Sequence, residues 1–195
     1  MKKSIGKRET GFIFLAVVAL CGIAAGAVWT AKGNSIDSPW LHQYFLLSGN
    51  SSTLSWLFVH NVMSAILFLL AVFAVGTSAV GQPLALGLLF YRGFGTGIAA
   101  ASLYGTFGMK AVPMVALLIV PKSAGMLVTA VLSVREAIRS SCGLAYYLST
   151  GDSDENRTGG LRLYLIRFIV LTVISMSVSA VDMVFYHFSG DFLRM

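Results

Sequence analysis

Three ionisable side chains, Arg92, Lys122 and Asp182, stand inside long apolar runs. A charge in hydrocarbon is costly, so each should face protein, water or a polar lipid group rather than acyl chains. Two cations with one acid leave a net positive centre, and a substrate anion or a lipid head group is its natural guest. The structural alternative is that these charges only fix helix packing or reach an interface along flexible stems. Arg92 is followed by Gly93, Gly95 and Gly97. The Gly93-x-x-x-Gly97 spacing lets a second helix approach closely, and internal packing is the preferred reading over homodimerisation. These glycines do not form a nucleotide loop: no strand precedes them and no lysine-serine pair follows. His60 and Asn61 read as interhelical hydrogen-bond partners, because a lone histidine is poor evidence for a metal. No nucleophile elbow or accessible carboxylate pair occurs. The chain is therefore read as non-enzymatic, with no catalytic, cofactor-binding or metal-binding residue.

The elements that must position these residues follow from composition. Of 195 residues, 56% are hydrophobic and only 11% charged, with mean hydropathy +0.80. Soluble domains carry about 25% charged residues, so this chain lacks the charge to cover a water-facing surface. The expectation is an all-α, polytopic membrane protein over residues 1–195, with no separate soluble domain. The net charge of +6 does not require nucleic acid, since basic cytoplasmic segments ordinarily set membrane topology. Cys21 and Cys142 make neither a disulfide framework nor a zinc motif.

Five spans are expected, at about 11–30, 54–75, 83–104, 111–134 and 168–186. The first follows a basic head containing Lys2, Lys3, Lys7 and Arg8. Ala25-Gly26-Ala27 has the form of a signal-peptidase site, but the apolar run continues to Trp29, which favours an uncleaved helix. Residues 31–53 are a polar connection; Trp40, His42, Tyr44 and Phe45 point to a short amphipathic piece on the membrane surface. Asn50-Ser51-Ser52 matches a glycosylation pattern too common to carry weight. Residues 76–82 form a tight uncharged turn. Pro83 then sits in the first helical turn, where its missing N–H costs nothing. Pro121 should kink the fourth span by removing a backbone hydrogen bond. Residues 135–162 are expected to be a cytoplasmic loop, with the fourth helix continuing out of the membrane through Arg135, Glu136 and Arg139. Within that loop Gly151–Gly160 is mobile by composition.

Orientation follows from the lysines and arginines near span ends. With the N-terminus inside, nine fall on the cytoplasmic side and three, Lys32, Lys110 and Arg194, outside. The N-terminus is therefore placed in the cytoplasm and the C-terminus outside. At 1.5 Å per residue, Arg92 lies roughly 14 Å and Asp182 roughly 21 Å from the inner boundary. Lys122 falls at a depth similar to Arg92, so Asp182 can neutralise either cation, with Lys122 preferred.

From Gly76 to Pro121 the chain resembles the stage II sporulation protein M family of bacterial membrane proteins. The resemblance is carried by Gly76-x-Ser78-x-x-Gly81-x-Pro83, then Phe90-x-Arg92-Gly93-x-x-x-Gly97, then Val120-Pro121 within an apolar segment. The family often has lysine where this chain has Arg92, which keeps the charge but alters hydrogen-bond geometry. The resemblance implies a non-catalytic scaffold in the bacterial cytoplasmic membrane, acting in engulfment during endospore formation. It also implies two peptidoglycan-degrading partners, resembling stage II sporulation proteins D and P. A small transporter or lipid-handling protein using Arg92, Lys122 and Asp182 is the second reading. Membrane lipids are expected partners under both, and the chain can be oligomeric.

Overall fold

The computed structural model describes residues 2–33, 54–108, 112, 120–150 and 157–192. Among them the chain is helical throughout, in five helices: α1 Lys2–Ala31, α2 Leu54–Gly76, α3 Gly81–Phe107, α4 Val120–Thr150 and α5 Arg157–Phe192. The expected surface piece within 31–53 and the short connection near Lys110 lie outside the described residues, as do residues 151–156 of the expected loop 151–160; its remainder, 157–160, is helical and opens α5.

Among the described residues, three helices contain stretches long and apolar enough to cross a membrane: Gly11–Ala31, Gly81–Ser102 and Arg162–Val181. Each has 20–22 residues, about 30 Å of helix, which matches the hydrocarbon thickness of a bilayer. A shorter apolar stretch, Asn61–Gly76, lies in α2.

The core is a seam of buried residues drawn from all five helices. It joins Leu15 and Ala19, Leu69 and Val72, Ala85 and Leu89, Ala130 to Ala137 at helical spacing, and Tyr164, Phe168 and Leu171. On α3 the buried positions Gly81, Ala85, Leu89, Gly93 and Gly97 recur every fourth residue, which puts them on one face. The opposite faces carry exposed apolar side chains, including Ile13, Leu20, Val59, Leu84, Val128, Ile169 and Val173. A water-soluble bundle would bury these faces. Here they are the outer surface, as a bilayer solvent requires.

Helix bounds differ from the sequence expectation around α4 and α5. Residues 135–150 do not leave the helix; α4 runs on to Thr150 and α5 begins at Arg157. The reason is packing. Val134, Ala137 and Ser141 continue the buried stripe of α4 beyond its last apolar turn, so the charged residues occupy the other faces of an unbroken helix. Pro121 is the second residue of α4 as described. The residues from 113 to 119, and with them the expected mid-helix kink, lie outside the described part. Pro83 is the third residue of α3, where an N–H would have no intrahelical acceptor.

Candidate functional site

The stretch Gly76–Gly97 touches every other helix of the bundle, and its contacts fall into three groups. The first lies at its glycines. A Cβ built on Gly93 would collide with the carbonyl oxygen of Ala19, and one on Gly97 with that of Ile23. The converse holds from the other side: Gly22 and Gly26 of α1 sit against the carbonyl oxygens of Phe90 and Phe94. Two G-x-x-x-G pairs therefore face each other, backbone on backbone. Only a Cα–H fits between the chains, and each points at a carbonyl, a geometry that adds weak C–H···O bonds to the dispersion of close packing. Trp29 packs edge-on against Phe94 at the end of this seam, with ring centroids 6.4 Å apart.

The second group surrounds Arg92, the twelfth of 27 residues in α3. Its Nη1 donates to Ser64 Oγ at 3.1 Å, and its guanidinium carbon stands 5.6 Å from the centre of the Phe68 ring. Ser64 and Phe68 are one turn apart on α2, so a single face of that helix offers both a hydroxyl acceptor and a π face. The arginine is half-buried while Ser64 is buried. This is how a guanidinium is held within an apolar helix pair: each contact spreads its charge over polarizable or hydrogen-bonding groups. Thr96 Oγ1 returns to the Arg92 carbonyl at 3.1 Å, which is local back-bonding along α3.

The third group clamps the turn between α2 and α3. Ser141 Oγ, fully buried on α4, donates to the Ser78 carbonyl at 2.7 Å. The Tyr164 hydroxyl on α5 donates to the Phe73 carbonyl at 3.2 Å. The Phe73 carbonyl belongs to the last turn of α2, where a helix leaves carbonyls without internal partners, while the Ser78 carbonyl lies in the turn itself and also accepts the Gly81 N–H at 3.2 Å. Gly76 is needed because an added Cβ would strike the Tyr164 hydroxyl and Ala137; at Gly81 it would strike the Val75 carbonyl. Phe73, Tyr164 and Phe168 form a ring trio with centroid separations of 5.0, 5.3 and 4.8 Å, inside the favourable range for aromatic pairs. One turn further along, Arg167 pairs with Glu136 across α5 and α4.

Of the residues singled out in the sequence, Gly93 and Gly97 lie on the face of α3 against α1 and Arg92 on the side against α2, while Pro83 is exposed at its start. The side chains of Pro121, Lys122, Asp182 and His60 lie outside the described residues, and so does the expected neutralisation of Lys122 or Arg92 by Asp182. Sequence reasoning missed Gly22 and Gly26, although they repeat the spacing of Gly93 and Gly97. It also missed Ser64 as the hydroxyl on Arg92, and Ser141 and Tyr164 as the clamp. Nothing in their local sequence distinguishes those three from ordinary helix residues. No protein family, curated protein or solved structure matches the chain.

Proposed function

We propose that this protein is a non-catalytic scaffold of the bacterial cytoplasmic membrane. In this reading it has five spans, a cytoplasmic N-terminus and an external C-terminus, and resembles stage II sporulation protein M. It organises peptidoglycan-degrading partners, resembling the D and P proteins of the same stage, during engulfment in endospore formation. The observation that supports this most is the hub formed by Gly76–Gly97, which lies within the stretch Gly76–Pro121 that carries the family resemblance. Its residues meet α1 through Gly93 and Gly97, α2 through Arg92, and α4 and α5 through the Ser78 carbonyl and Gly76. Residues of that stretch are occupied in holding helices together, which is the work of a platform rather than of a reaction centre. An affinity pull-down of the detergent-solubilised protein from sporulating cells tests it. Recovery of cell-wall hydrolases is expected; a protein recovered alone overturns the scaffold role.

The second reading, a small transporter or lipid-handling protein, is favoured by Arg92, a half-buried cation deep in an apolar helix. Under it, replacing Arg92 with glutamine abolishes flux while partner assembly survives. Under the scaffold reading the same replacement leaves no small-molecule phenotype.

A further inference from the structure

We propose that α4 and α5 together hold the head group of an anionic phospholipid at the end of the bundle where Arg135, Arg139 and Arg162 lie. The inference rests on the membrane-embedded reading above and not on the scaffold role. The two helices are antiparallel, as shown by Arg167 against Glu136, Met126 against Ser175 and Gly125 against Val178. Extending that register by one turn brings Arg139 of α4 and Arg162 of α5 to the same level. Both are exposed, and Arg135, one turn below Arg139, is half-exposed. Glu136, the one carboxylate among the described side chains, is engaged by Arg167. Among the described side chains, four arginines at this boundary stand against a single acid, which Arg167 engages.

What selects a lipid over other anions is the surface directly beside the charges. Arg162 opens the apolar stretch Arg162–Val181, and on its own face, one turn at a time, come Ile166, Ile169 with Val170, and Val173, all exposed. On α4, Arg135 is likewise followed toward the apolar end by half-buried Leu132 and exposed Val128. Cationic head and apolar ridge thus run in sequence along both helices, which matches a phosphate group with acyl chains. An acidic peptide or a nucleic acid would leave that ridge uncovered. Guanidinium groups suit the phosphate because their planar donors can engage two of its oxygens.

Native mass spectrometry of the purified full-length protein in detergent tests the proposal, with phosphatidylglycerol and phosphatidylcholine of identical chains supplied in equal amounts. Phosphatidylglycerol is expected to be retained on the order of 100-fold over phosphatidylcholine, given roughly fivefold for each of the three arginines near an anionic surface. The triple variant R135Q/R139Q/R162Q should lower phosphatidylglycerol affinity on the order of 100-fold by the same reckoning and leave phosphatidylcholine unaffected. The corresponding triple lysine variant should restore most of the loss. Should the triple glutamine variant fail to fold, R139Q alone, at an exposed position, is expected to cost about fivefold. Equal retention of the two lipids, or undiminished phosphatidylglycerol binding by the glutamine variants, overturns the proposal. Displacement of the lipid by millimolar inorganic phosphate would also overturn it, since it would mean that the acyl chains contribute nothing. Failure of the membrane reading is seen separately, as release of the protein from membranes by alkaline carbonate.

Discussion

At the scale of single residues, the tightest constraint on this chain is the absence of a side chain. Gly93 and Gly97 each face an α1 carbonyl, and Gly22 and Gly26 each face an α3 carbonyl. Adding one methyl at any of the four must push two helix backbones apart, because a backbone cannot rotate away as a flexible side chain can. Overpacking of this kind costs about 1–3 kcal/mol. Gly97→Ala should therefore lower the thermal midpoint of the detergent-solubilised protein measurably. Gly87→Ala is the matched control on the same helix, since nothing lies within 4 Å of its added Cβ. It should match the wild type or exceed it by up to about 1 kcal/mol, the helix preference of alanine over glycine. Equal midpoints for Gly97→Ala and Gly87→Ala would contradict the assigned interface.

At the scale of elements, the α2–α3 turn is held from outside by α4 and α5. Tyr164 has two roles there, as a hydroxyl donor to the Phe73 carbonyl and as one ring of the aromatic trio. The roles separate by substitution. Tyr164→Phe keeps the ring and loses one hydrogen bond, an expected cost of about 1 kcal/mol. Tyr164→Ala loses the packing as well and should cost about 3 kcal/mol. A melting series of the two variants checks the order, and a phenylalanine variant as damaged as the alanine one would contradict it. The same elements show what could be read from the chain alone. The helices were legible because 20-residue apolar runs have few other uses, and the Gly93–Gly97 face was legible from its spacing. Its mate was equally visible as Gly22-x-x-x-Gly26, but Gly26 drew attention as part of a cleavage-like Ala-Gly-Ala. The clamp was not legible. Ser141 and Tyr164 reach partners 63 and 91 residues away in the chain, and neither residue type announces a distant carbonyl. The helical course of 135–150 was only partly legible, because charge there reads as a loop while the buried stripe beneath it continues.

At the scale of the whole molecule, the apolar outer faces and three helices long enough to cross a membrane among the described residues are consistent with a membrane protein. The proposed topology makes a sharp prediction about the two native cysteines, both exposed on their helices. Cys142 lies beyond the last apolar turn of α4, which that topology puts on the cytoplasmic side; Cys21 lies within the apolar stretch Gly11–Ala31. A membrane-impermeant maleimide should leave Cys142 unlabelled in intact cells and label it in inverted vesicles. Cys21 should resist in both. Labelling of Cys142 from outside would reverse the orientation.

The central claim joins the three scales: glycine contacts position α1 on α3, the bundle so formed is a platform, and the platform gathers cell-wall hydrolases. Capture of those hydrolases by the wild type and by the Gly93→Ala, Gly97→Ala double variant, at matched protein level in the same membranes, tests it most directly. The account predicts that the wild type recovers them and that the double variant, still inserted, recovers severalfold less. Hydrolases absent from the wild-type capture, or recovered equally by both proteins, would contradict it.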